Sequence, residues 1–201
     1  MTRILITRHG QTKQNVDGTI QGKEHGNVNE KGFEQIKSLI RRLDKEKITR
    51  IISSDVPRCR ITTEKILKEI DVPVEYTNLI REKDNGILIG KNHKEVNWDN
   101  LEGTFETRKA EGGENLIEVR ERGKKFFNEF LKKYNRTDEV ILMVSHGAFL
   151  KIFIGDLLGM SLKDSIFKLF TEHCSLTELE IDDKYPEGYR LNFINEKDYL
   201  N

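Results

Sequence analysis

Residues 140–144, Val-Ile-Leu-Met-Val, form a run with no polar side chain. A strand this apolar must be covered on both faces, as happens in a mainly parallel sheet held between two helix layers. The rest of the chain agrees with that demand. Thr2 to Arg8, Arg50 to Ser53, Pro73 to Tyr76, Ser175 to Ile181 and Tyr189 to Ile194 read as further strands. Helical spacing separates them. Asn29 to Lys45 carries Phe33, Ile36, Leu39, Ile40 and Leu43. A helix capped by Asp55, with Pro57 in its first turn, runs through Ile66, Leu67 and Ile70. Glu114 to Tyr134, Ala148 to Leu158 and a short piece near Ile166 to Phe170 supply the remainder. The alternation predicts an α/β fold, and 201 residues suit one domain, 1–201. Residues 78–112 mix Gly, Asn and charges with Trp98 and Phe105, a composition that predicts an active-site cover.

Thirty-four acidic residues balance thirty-four basic ones. A nucleic-acid or membrane-surface binder carries a basic excess, so neither partner is expected. No stretch is apolar enough to span a bilayer and no leader-like segment precedes the first strand. Cys59 and Cys174 have no metal-ligand spacing and are too few for a disulfide framework. A cytoplasmic protein without metal or cofactor is the expectation. The oligomeric state is not legible.

In α/β sheets of this kind ligands gather beyond the carboxyl ends of the parallel strands. Four polar clusters fall there. The first strand ends in Arg8-His9-Gly10-Gln11-Thr12, with Asn15 a turn later. The second leads through Ser53-Ser54-Asp55 to Arg58, the third to Arg81-Glu82, and the apolar run to Ser145-His146-Gly147. Each cluster alone is weak, since a strand-end His is more often a structural hydrogen bonder and a lone Arg or Glu a solvated charge. Together they suit phosphoryl transfer. Two arginines grip phosphate oxygens, a neutral imidazole attacks phosphorus, and a carboxyl protonates the leaving alkoxide. Gly147 would open a helix whose first amides can meet an anion. His25 and His93 read as exposed loop residues.

These motifs resemble the histidine phosphatase superfamily, the phosphoglycerate mutase-like family. The similarity runs through Arg8-His9-Gly10-Gln11-Thr12, Ile20-Gln21-Gly22, Asn29-Glu30-Lys31-Gly32, Ser53 to Arg58, Leu79-Ile80-Arg81-Glu82, Gly112-Gly113-Glu114 and Val144-Ser145-His146-Gly147. The resemblance implies a three-layer α/β/α sandwich with a mixed, mostly parallel six-stranded sheet, one strand antiparallel. It implies His9 as the phosphorylated nucleophile, Glu82 as proton donor, and Arg8, Arg58 and His146 around the phosphoryl group. Asn15, Gln21 and Gly147 fall on the substrate side. So would His173, at the start of the antiparallel strand, unless it only supports local structure. Ile89, Glu111 and Asn115 depart from the residues common at their positions.

The expected activity is hydrolysis of a small phosphorylated metabolite through a phosphohistidine. A cofactor-dependent phosphoglycerate mutase is the nearest alternative. It is disfavoured by the short cover, where Glu95, Asp99, Glu102, Glu106 and Glu111 sit among the basic residues. A non-catalytic phospho-ligand binder is the other alternative, and it would not need His9, Glu82 and His146 together.

Overall fold

A computed structural model of the chain describes residues 1–24 and 26–200. Its centre is β1 (Thr2–Arg8), flanked by the apolar run, now β4 (Val140–Ser145). The other strands are β2 (Arg50–Ser54), β3 (Val74–Thr77), β5 (Leu176–Ile181) and β6 (Tyr189–Glu196), and the sheet order is β3-β2-β4-β1-β5-β6. β1, β2, β3 and β4 pair in parallel, while β5 runs antiparallel to both β1 and β6. This is the six-stranded, mostly parallel sheet that the resemblance implies.

The period of two in a strand decides which helix layer each side chain meets. Ile4, Ile6, Ile141 and Met143 face a cluster built by α4 (Leu116–Tyr134), α5 (Gly147–Leu157) and α6 (Leu162–Lys168). Leu5, Leu142 and Val144 face α2 (Glu30–Leu43) and α3 (Pro57–Leu67). Both faces of the run at 140–144 are therefore covered. A one-turn helix, α1 (Lys13–Asp17), follows β1.

Several helix ends differ from the sequence expectation. α3 has Val56 at its N-cap with no side-chain cap bond, because the Asp55 carboxylate is drawn off to the Arg81 guanidinium at 2.6 and 2.5 Å. α4 begins after Asn115, whose side chain accepts from the Glu118 amide in a capping box. Asn at this position has the chemistry of an N-cap residue. α6 starts earlier than expected, with Ser161 accepting from the Asp164 amide, and ends before Phe170. Phe33 lies on the solvent side of α2 at 39% exposure, under the Lys65 ammonium.

Residues 78–112 contain two single 3-10 turns, Gly86–Leu88 and Trp98–Asn100. Leu88 and Ala110 of this segment join Ile20 in a small core of their own, with Ile89, Val96, Trp98 and Leu101 packed against it. The segment thus has its own apolar anchor beside the rim of the sheet.

Candidate active site

The chain beyond β1 and β4, the start of α3, the end of α6 and the segment 78–112 line a cleft of about 620 Å³. Arg8, His9, Asn15, Gln21, Arg58, Glu82 and Gly147 border it. His146 and His173 do not border it; both are buried against the His9 ring, each with its centroid 5.3 Å away. His25 lies outside the described residues. His93 is exposed as expected, and it also stacks on Trp98 at the cleft wall.

His9 is 2% exposed and its position is fixed by main chain on several sides. Its Nδ1 lies 2.8 Å from the Gly10 carbonyl, an acceptor only, so Nδ1 carries the proton and Nε2 keeps its lone pair. The Gly10 amide donates to Thr62 Oγ1, and the His9 carbonyl accepts from His173 Nδ1 at 2.9 Å. Burial first, then the charges of Arg58 and Arg8, hold the His9 pKa well below the ordinary histidine value. The ring is therefore neutral at pH 7, as a nitrogen nucleophile requires. Burial likewise pushes His173 down to about 3.

Arg8 donates from Nη1 to the Thr171 carbonyl at 3.0 Å, while its buried Nε has no hydrogen-bond partner among the described residues. Gly147 makes room for it. A Cβ at 147 would stand 3.1 Å from the Arg8 Cζ, closer than ordinary van der Waals contact. Arg58 donates from Nη1 to the Gly22 carbonyl and from Nε to His146 Nδ1 at 3.2 Å. His146 Nδ1 is thus an acceptor. Its Nε2 carries the proton and faces Ser54 Oγ at 2.8 Å, so in this structure the ring orients Arg58. Burial followed by the Arg58 and Arg8 charges keeps this histidine neutral too.

Glu82 is held from behind. Its carboxylate accepts from the Ala148 and Phe149 amides at 3.1 and 2.9 Å and from the Lys83 amide at 3.0 Å. The first amides of α5 are therefore taken by the Glu82 carboxyl group. The main chain of the Glu82 loop is gripped by Arg122 of α4. Arg122 donates from Nη1 to the Leu79 and Arg81 carbonyls, both at 2.9 Å, and forks onto Glu114. Asn15 is occupied as a cap, its Oδ1 accepting from the Thr12 amide and hydroxyl. Gln21 Oε1 accepts from the same hydroxyl at 3.0 Å.

Thr62 and Arg122 escaped the sequence reading, and Ser54 was named only within its cluster. Arg122 had a signal: it lies in the stripe Leu116, Val119, Phe126 that α4 turns to the core, where a charge needs a buried partner. Thr62 had none, because its bond to the Gly10 amide joins residues far apart in sequence.

Among the described residues no three His, Cys, Asp or Glu side chains are placed to hold a metal ion. No helix of the described residues is long and apolar enough to cross a membrane.

A buried neutral histidine, two arginines and a carboxyl group thus border one cleft. The profile of the histidine phosphatase superfamily (branch 1) matches residues 4–194, and the chain belongs to that family. It is 31% identical over 187 residues to a probable phosphatase of Schizosaccharomyces pombe, covering 90% of this chain and 88% of the relative. It is 30% identical over 169 residues to the probable phosphoglycerate mutase GpmB of Escherichia coli, covering 80% of this chain and 76% of the relative. The solved structure of Bacillus stearothermophilus YhfR has the same fold, with a TM-score of 0.89 at 23% identity over the whole of both chains.

Proposed function

We propose that the chain hydrolyses phosphate monoesters of small metabolites, in two steps, through a phosphohistidine on His9 and without a metal. The His9 tautomer carries this reading: Nδ1–H is committed to the Gly10 carbonyl and leaves Nε2 as the nucleophile. In the first step the Nε2 lone pair forms a bond to phosphorus. The ester P–O bond breaks, and Glu82 gives its proton to the departing alkoxide. The ring becomes positive as it accepts the phosphoryl group, and the Nδ1–H···O=C bond strengthens with that charge. In the second step water attacks phosphorus, Glu82 takes back a proton, the N–P bond breaks and inorganic phosphate leaves.

Arg8 and Arg58 supply the positive charge that phosphoryl transfer needs. His146 serves by holding Arg58, and His173 by holding the His9 main chain. Gln21 and Asn15 border the substrate side. Two free, buried cysteines suit the reducing cytoplasm, which we take as the place of action.

The mutase reading draws on the GpmB relative and shares the first step; it differs in returning the phosphoryl group to a second substrate oxygen. A simple binder would need no nucleophile of fixed tautomer beside a carboxylate. Rapid quench with a ³²P-labelled monoester tests the mechanism. Wild type should yield an acid-labile phosphoenzyme and release phosphate, and His9→Ala should yield neither. Full turnover by His9→Ala would remove His9 from its role, and label transferred to a second hydroxyl without released phosphate would favour the mutase.

A further inference from the structure

The cleft has two chemically different halves. Its floor is the charged set just described. Its outer wall is apolar and comes from two separate segments. The cover contributes Trp98, Leu101 and Phe105, and α6 contributes Ile166 and Phe167. Phe105 and Phe167 meet across the mouth with ring centroids 5.4 Å apart. Phe167 is 63% exposed, a large apolar surface left at the opening.

Three cationic side chains also border this half, and each is turned onto a protein partner. Lys83 Nζ donates to Asn85 Oδ1 at 2.9 Å. Lys151 Nζ donates to the Ile166 carbonyl at 3.2 Å and lies over the Phe170 ring. Arg108 donates to the Trp98 carbonyl and to Asp99, and covers Phe105. An apolar group on the substrate would displace water from the aromatic wall. A cleft of about 620 Å³ is also in the range that encloses a drug-sized ligand, far more than one phosphoryl group fills.

We propose that the outer half receives the alcohol of a bulky, apolar phosphate monoester. This specificity rests on the phosphatase reading above, since the floor must accept the phosphoryl group for the wall to meet the alcohol.

The test compares three esters whose chemistry separates the two halves. Ethyl phosphate and 2-(2-naphthyl)ethyl phosphate have alcohols of similar basicity, so the bond-breaking step is matched; 3-phosphoglycerate adds a carboxylate. The naphthylethyl ester should exceed ethyl phosphate in kcat/KM by about tenfold or more, from the apolar surface removed from water. The 3-phosphoglycerate value should fall below that of the naphthylethyl ester. Phe105→Ala and Phe167→Ala should each lower the naphthylethyl-to-ethyl ratio by at least about threefold. Because Phe167 is mostly exposed, its variant keeps the comparison usable if Phe105→Ala fails to fold. A wild-type ratio below tenfold, a preference for 3-phosphoglycerate, or ratios unmoved in Phe167→Ala would overturn the specificity while leaving the phosphatase reading intact. Absence of both turnover and phosphoenzyme with all three esters would overturn both.

Discussion

Replacing Arg122 with Ala should damage the proposed acid, Glu82, without touching the substrate. The side chain is a partly buried fork at 15% exposure that binds Glu114 at 25% and carries the Leu79 and Arg81 carbonyls. Its loss leaves a partly buried carboxylate and two carbonyls without their donor. Breaking a buried ion pair costs about 3–5 kcal/mol. Residual exposure of Glu114 puts the expectation at the lower end, about 3 kcal/mol. For a chain of this length that corresponds to a Tm about 6–12 °C lower. The Glu82 loop loses its rear support at the same time, so proton delivery should suffer. At a temperature where the variant is folded, kcat on an alkyl ester should fall at least about tenfold more than on nitrophenyl phosphate, whose leaving group needs little protonation. Arg122→Lys restores charge without the fork and should recover only part of both effects. Differential scanning calorimetry and parallel kinetics on the two esters measure this. A Tm within about 2 °C of wild type, or equal kcat losses on both esters, would refute the claim that Arg122 positions the acid.

Glu82→Gln should likewise slow alkyl esters far more than nitrophenyl phosphate, and equal losses would mean that another group is the acid. Dialysis against EDTA should leave phosphate release unchanged, and a reversible Mg²⁺ or Zn²⁺ requirement would contradict the proposal that arginines supply the charge. His173, with a folded pKa of about 3, stays neutral where an unfolded histidine gains a proton, so its contribution is whole above pH 6.5 and is lost as pH falls toward 3. Between pH 6.5 and 5 that amounts to about 2 kcal/mol. Urea unfolding of His173→Asn should therefore show a shallower acid decline than wild type, and parallel declines would exclude a buried neutral His173.

The layer order and the strand ends were legible in the sequence because one physical rule governs each. An apolar run of strand length needs two covers, and polar residues just beyond it collect on one rim. Gly147 was legible as a helix start; that it also clears the Arg8 guanidinium was not. Asp55 has the chemistry of a cap, yet Arg81 competes for it from another loop, and local propensity cannot weigh a partner twenty-six residues away. Phe33 fits the α2 stripe by spacing but falls at its edge, where a neighbouring lysine covers it. The cover was the least legible part. Its 3-10 turns rest on contacts such as the Ile87 amide with the Glu111 carbonyl, which no period announces.

β5 enters the sheet backwards, and the segment just before it fastens Arg8 and His9. Thr171 holds Arg8, His173 holds the His9 carbonyl, and the Cys174 amide donates to the Arg8 carbonyl. The proposed reactive motif is thus separated from its clamps by 163 and 164 residues of chain. No local turn can form these bonds; they close only when the segment before β5 docks against the end of β1. On this architecture the proposed activity depends on that long-range docking, so turnover reports that the sheet has assembled across β1 and β5.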